Sequence, residues 1–470
     1  RARRSGRTGG RVELVGDRIV VGIKGAAFDA PHRGRIRIRD EVLLLVDTAG
    51  EIAAALHPED AGYSDTVSRL QRAGSLRELG PGQYLVPGFI DLHNHAPQWP
   101  QSGKALDVTL QEWLNTYTFP LEARYRDLDF AGEVYASLVD AMLANGTTTA
   151  VYFATAHLAP TTLLADTCLR HGQRALIGRV AMDSTETCPP FYRDPSAAIA
   201  VEETRALIEH VDGLSDDRGL IRPVVTPRFI PSCTDDLLRG LGELVEETGA
   251  HVQTHCSESD WAHEYGMDRF GQTDTATYAD FGLLTRKTVL AHSNLITGGD
   301  MDTIAAAGAA VAHCPLSNVY FANAVFPLRQ SLDRGVNVGL GTDISGGPAV
   351  SIMRTMTDAV VASRVLDDGV DPRRDASHRG VPGSRVTLAE AFWLGTTGGG
   401  IALDLPIGLL EPGYAFDAIV IDTRVTESDV LVWPGLDTAF DVFQKVIHHA
   451  TRRNIVSVWV GGSEVRSARR

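Results

Sequence analysis

The chain is 470 residues long, 44% hydrophobic and 22% charged, with a formal charge of -15 and a pI near 5.4. That acidity argues against a nucleic-acid groove or an anionic membrane surface as the main partner, and no apolar run reaches the roughly 18 residues needed to span a bilayer. The length suits one large domain with a smaller companion, or two to three domains, and the five cysteines (168, 188, 233, 256 and 314) contain no CxxC pair, so reduced thiols and a cytoplasmic location are expected.

In chain order, the basic opening "RARRSGRTGG" is expected to be a disordered tail or a cloning remnant, with a transit peptide as the alternative. Residues 11 to about 84 alternate β-type runs with Gly, Asp and Pro turns, which predicts a small antiparallel sheet. Within them, 59–76 is polar without strong periodicity and is expected to be a surface loop or insertion.

From about Tyr84, eight apolar runs alternate with helical patterns: "YLVPGFIDLHNH", "TTTAVYFAT", "RALIGRVAM", "IRPVVTPRF", "HVQTHCSE", "TVLAH", "AAVAHCP" and "VNVGLGTD". Helices are predicted over Phe130–Leu143, Pro160–His171, Ser196–Val211, Thr234–Thr248, Gly298–Ala307 and Phe326–Arg334. Eight such units over about 260 residues predict an α/β fold, a (β/α)8 TIM barrel with its active site at the carboxyl ends of the strands. After helical segments to about Ala402, "GYAFDAIVIDTR" and "RRNIVSVWVGGSEV" return to strand character. Residues 85–402 are therefore assigned to the barrel, and 1–84 with 403–470 to a small β-sandwich formed by the two chain ends.

Polar residues that carry chemistry fall at those strand ends: His93 and His95 on the first, Arg228 on the fourth, His255 on the fifth, His292 on the sixth and Asp343 on the eighth. Residues two apart in a strand share a face, so His93 and His95 can hold one ion together. Alone, a His-x-His pair is weak evidence and reads far more often as polar punctuation at a strand exit. The imidazoles at 255 and 292 and the carboxylate at 343 favour metal ligation, and these are donors suited to zinc or ferrous iron.

Glu258 follows His255 in "HCSE" and is assigned to carry a proton from water to a ring nitrogen. His292 is assigned to orient the attacking water, because His93, His95, His255 and Asp343 already provide four ligands. Asp343 is both ligand and base, and the glycines around it suit a tight turn. Arg228 is read either as recognising a carbonyl or carboxylate or as a salt bridge on the barrel rim. Phe229 is expected to pack on a planar ligand, and Gln98 to offer an amide to a heterocycle edge or to sit in a plain loop. His313 is taken as structural, His157, His171 and His263 have no partner that spacing reveals, and Cys256 and Cys314 are given no role.

The stretches "PGFIDLHNHAPQ", "LQEWLNTYTFPLE", "ANGTTTAVYFAT", "VTPRF", "HCSE", "AHCPLSN" and "GLGTDISGG" resemble the guanine deaminases of the amidohydrolase superfamily over roughly residues 84 to 425. His-x-His and Thr-Asp are shared across that superfamily, whereas "HAPQ", "EWL…YTFP" and "TPRF" point more narrowly to guanine. The resemblance implies a metal on His93, His95, His255 and Asp343, Glu258 as proton shuttle, His292 supporting the water, and purine contacts from Gln98, Arg228 and Phe229. Barrels of this superfamily that bind two metals bridge them through a carboxylated lysine on the fourth strand. The four lysines here (24, 104, 287 and 445) lie elsewhere, so one zinc per chain, with iron as the alternative, is expected.

The implied activity is hydrolytic deamination of guanine to xanthine and ammonia by a homodimer. After the catalytic Glu this chain reads "HCSESDWAHEYG", placing Trp261 and His263 where a lid over the base would lie, and "QWPQSG" is also unusual. A pterin or 8-oxoguanine is therefore kept as the alternative substrate. A barrel that has lost catalysis would be marked by a broken ligand set, and here the set is complete.

Overall fold

The computed structural model describes residues 19–322 and 324–467. The expectation of a disordered tail falls outside the described residues, as do residues 11–18 of the first β-type run. Eight parallel strands follow one another in chain order around a barrel: Phe89–His95, Thr147–Phe153, Arg174–Gly178, Ile221–Pro227, His251–Cys256, Thr288–His292, Ala310–His313 and Asn337–Leu340. They read as apolar runs because helices cover the outside and packed side chains fill the inside. The six predicted helices form within two residues of the expected positions, as Leu128–Ala144, Leu158–His171, Ala197–Asp212, Asp235–Thr248, Gly298–Ala307 and Leu328–Asp333. Asp127, Ser196 and Thr234 cap three of them by accepting first-turn N–H bonds.

Strands one and eight meet just above the last paired residue. The Asp343 N–H donates to the His93 carbonyl and the His95 N–H to the Ile344 carbonyl, both at 2.9 Å. The Asp91 carboxylate reinforces this seam, accepting from the Thr342 N–H and hydroxyl. No residue larger than glycine fits at 341, where a Cβ would lie 2.8 Å from the His93 Cβ.

The lower barrel interior is filled by Ile90, Leu92, Val151, Leu176, Val224 and Val289, and Leu403 and Ile407 close it from below. Ile90 and Leu92 occupy even positions, whereas His93 and His95 occupy odd ones. A register shift between Asp91 and Asn94 changes the parity, so that Leu92 fills the interior and His93 next to it faces the mouth.

Among the described residues, the chain ends join in one eight-stranded sheet. Ala418–Asp422 pairs antiparallel with Gln83–Pro87 on one side and with Ile455–Val460 on the other, and Ile19–His32, Arg35–Asp47 and Ile52–Leu56 extend the sheet. The expected antiparallel character holds for most pairs. Ile19–His32, however, pairs parallel with Leu76–Glu78 and Gln83–Pro87, because the chain returns through a crossover helix, Tyr63–Arg72. That helix corrects the surface-loop expectation for 59–76: Tyr63, Thr66 and Leu70 form a buried stripe at helical spacing within an otherwise polar sequence.

The first predicted barrel run is likewise two strands. Gln83–Pro87 belongs to the end sheet and Phe89–His95 to the barrel, divided at Gly88, where a Cβ would fall 2.1 Å from the Thr148 hydroxyl. The segment 403–470 also supplies the helix Ala439–His449, whose Val442, Phe443 and Val446 pack into the core outside the barrel. No helix among the described residues is long and apolar enough to cross a membrane. All five cysteines are free and buried.

Candidate active site

His93, His95, His255, His292 and Asp343 converge at the carboxyl ends of strands one, five, six and eight, all at most 5% exposed except where His255 borders the cavity. One donor atom each from His93, His95 and Asp343 lies within 4.8 Å of the others, as does one each from His93, His255 and His292. His93 Nε2 and His95 Nε2 stand 3.2 and 3.5 Å from Asp343 Oδ1. Left-handed backbone conformations at Ser257, His292, Ser293 and Asp343 mark these strand ends, where the chain must turn sharply to aim its side chains inward.

Hydrogen bonds settle the imidazole tautomers. The His255 Nδ1–H donates to the Arg228 carbonyl at 2.6 Å and the His292 Nδ1–H to Asn318 Oδ1 at 2.9 Å, which leaves both Nε2 atoms as lone pairs facing inward. Burial, then neighbouring imidazoles, holds His93, His95 and His255 well below the usual histidine range. Burial also lowers His292, against the opposing influence of Asp343 and Asn318.

These neutral rings and a carboxylate present a cage of acceptors. His93 Nε2 and His292 Nε2 are buried with no hydrogen-bond partner among the described residues. Such a set of nitrogen and oxygen donors, with outer partners fixing the ring orientation, fits a single divalent ion. The lysine-free fourth strand fits a mononuclear rather than a bridged site.

Glu258 lies just past strand five, buried, with its Oε1 3.6 Å from His292 Nε2. Burial and then the Asp343 charge push its carboxyl up to about 8. Burial also raises Asp343, with His292 and the Ser317 hydroxyl opposing. A bound cation would act on both in the opposite sense.

A cavity opens on this cluster, and its lining includes His95, His255, Glu258 and Asp343 together with Gln98, Arg228 and Phe229. Leu110, Trp113, Leu114 and Phe321 complete its apolar walls. Two π-helical turns, Leu114–Thr118 and Asn318–Ala322, frame the mouth.

All nine residues singled out from the sequence thus come to one place, and Arg228 combines parts of its two readings: a guanidinium lining the cavity and a salt bridge. It is buried, not on the rim, and ion-paired with Glu122, its Nη1 2.7 Å from Oε2 and its Nη2 3.2 Å from Oε1. Burial works against its charge and Glu122 more than offsets this, so the guanidinium is held above its ordinary value.

Glu122 ends the "YTFPLE" stretch, and its own role was missed because it lies 106 positions from Arg228. Ser317 and Asn318 were missed similarly, although they sit in the quoted "PLSN". Trp261 occupies the first turn of the helix Asp260–Phe270 and meets Phe229 edge-on at 5.8 Å, while His263 Nδ1 contacts the Ser257 hydroxyl at 3.1 Å. Neither is among the residues lining the cavity; Trp261 backs the wall that Phe229 forms.

A (β/α)8 barrel with a buried His/Asp cluster at its carboxyl ends defines a class of hydrolase that works with a bound metal. The chain belongs to the metal-dependent amidohydrolase family, whose model matches residues 84–465. It is 38% identical over 400 residues to a probable guanine deaminase of Schizosaccharomyces pombe, covering 84% of this chain and 73% of the relative. It is 33% identical over 467 residues to the guanine deaminase of Dictyostelium discoideum, covering 96% and 100%. Among solved structures, the guanine deaminase from C. acetobutylicum with bound guanine in its active site superposes with a TM-score of 0.83 at 28% identity, covering 94% of this chain and 99% of that one.

Proposed function

We propose that the protein hydrolyses guanine to xanthine and ammonia. The observation that carries this is one cavity with two unlike ends: the His/Asp cluster with Glu258 at one, and N–H donors on Gln98 and Arg228 beside the Phe229 ring at the other. A flat heterocycle with an oxo group and an exocyclic amine matches both, and the relatives named above support guanine among such compounds.

His93, His95, His255 and Asp343 would hold one zinc ion, which when bound supplies Lewis acidity and makes water acidic near neutral pH. Asp343 and His292 take a proton from the attacking water as its oxygen adds to the amino-bearing ring carbon. Glu258 passes a proton to the adjacent ring nitrogen, and a second transfer to the amino group lets it leave as ammonia, with oxygen in its place. Phe229 packs on the ring plane, while the buried walls exclude bulk water.

In the same reading, 85–402 is the catalytic barrel and 1–84 with 403–470 the accessory β unit of a cytoplasmic homodimer. The exposed side chains of Leu431, Trp433, Leu436 and Phe440 support a partnered surface. Ammonia release by zinc-loaded protein from guanine, 8-oxoguanine and pterin tests the function. Preference for guanine is expected; a higher kcat/KM on either alternative would reassign the substrate.

A further inference from the structure

Glu122 is fully buried, and its carboxylate receives three hydrogen bonds from two residues of the substrate end of the cavity. Oε1 accepts from Gln98 Nε2 at 2.9 Å and from Arg228 Nη2 at 3.2 Å, and Oε2 accepts from Arg228 Nη1 at 2.7 Å. A carboxylate can only accept, so the nitrogen side of the Gln98 amide must face it. The other end of that amide is fixed as well, because Gln98 Oε1 accepts the Ser345 N–H at 3.3 Å.

A flipped Gln98 would set oxygen against carboxylate and N–H against N–H. The Phe119 ring, from the same short helix Phe119–Glu122, lies 4.9 Å beneath the Arg228 guanidinium. One turn of chain therefore holds both side chains.

We infer that Glu122 is the positioning residue of the substrate pocket: it orients Gln98 and Arg228 so that their remaining N–H groups point at an acceptor edge of a neutral heterocycle. The Arg228–Glu122 pair carries no net charge, so the pocket offers donors without offering a counter-charge. Of the carbonyl and carboxylate that Arg228 could recognise, this selects the carbonyl, because a carboxylate substrate would meet the charge of Glu122 as well. The inference rests on the deaminase reading above.

Glu122→Gln is the first test, with whichever of guanine, 8-oxoguanine and pterin the wild type turns over best as probe. The new amide keeps one accepting oxygen. At the Oε1 position it still meets Gln98 and Arg228 Nη2 but sets an N–H against Arg228 Nη1, and in the other orientation it sets an N–H against Gln98 and Arg228 Nη2; either way the charge that holds the guanidinium is gone. KM should rise about tenfold or more with a much smaller change in kcat, as for lost uniform binding, and with metal content unchanged. An active wild type whose KM is unaltered by Glu122→Gln overturns the inference alone. A wild type inactive on all three probes overturns the deaminase reading and this inference with it.

Should Glu122→Gln fail to fold, Arg228→Met is compared with the Arg228→Met/Glu122→Met double variant, in which no buried charge is left unpaired. The double variant should show a KM at least about threefold above that of Arg228→Met, because Gln98 has also lost its anchor. Equal or lower KM would assign Glu122 to charge balance only and overturn the inference.

Discussion

His95 Nε2 and His255 Nε2 face each other at 3.1 Å. The Nδ1–H of His255 is committed to the Arg228 carbonyl, so its inward nitrogen is a lone pair, and burial keeps both rings neutral. His95 Nε2 meets this lone pair either through its own N–H or, with the hydrogen on Nδ1, as a second lone pair that a cation between the two rings would bind. Purified protein is expected to carry about one divalent ion per chain, and removal of a buried ligand typically costs metal affinity severely. Elemental analysis of His95→Gln and His255→Gln should show little bound metal, and chelator-treated wild type should regain ammonia release when zinc is restored. Full metal occupancy in either variant would refute this ligand set.

Glu258 differs from those ligands in standing beyond the cluster, 3.6 Å from His292 Nε2. Glu258→Gln keeps its shape and removes its proton chemistry. Turnover should drop by about a hundredfold or more, as for loss of a general acid–base, while circular dichroism and metal content match the wild type. Retained turnover in the metal-replete variant would remove the proton-carrying role.

Asn318 accepts the His292 Nδ1–H at 2.9 Å and so fixes which nitrogen faces the site. Replacing it with leucine leaves the tautomer free. Loss of such an outer partner is commonly worth about 10-fold to 100-fold in activity, and it should fall on kcat. An unchanged kcat in Asn318→Leu would mean that backbone geometry alone sets the ring.

Asp274, held to the Ser257 backbone behind the site, gives a pH prediction for stability. Burial pushes its carboxyl up to about 7, opposed by the Ser257 N–H that it accepts and reinforced by Asp300. Its other oxygen has no hydrogen-bond partner among the described residues. The folded protein therefore binds this proton more tightly than the unfolded chain, whose carboxyl titrates near 4. Stability from this group is full below pH 4 and declines up to pH 7, with a slope of at most about 1.4 kcal/mol per pH unit. Urea midpoints across that range should fall less steeply for Asp274→Asn than for wild type; parallel curves would contradict the assignment.

By itself the sequence determined the barrel, its strand order and its six predicted helices, because hydrophobic period and capping are local properties written over a few residues. It also brought out the candidate metal donors, since each ends an apolar run and the His-x-His spacing needs only a strand to align it. Less local features were decided by the tertiary structure. The helix Tyr63–Arg72 was hidden because its buried stripe is short and sits in polar sequence that only the neighbouring sheet explains. The shift between Asp91 and Asn94, which lets Leu92 fill the core and His93 serve the site, depends on pairing with the second strand. Glu122 acquired meaning only when folding brought it to Gln98 and Arg228, 24 and 106 positions away. Ligand identity is written in residue types, whereas the direction in which Gln98 and Arg228 point is set by a buried charge that no local spacing reveals.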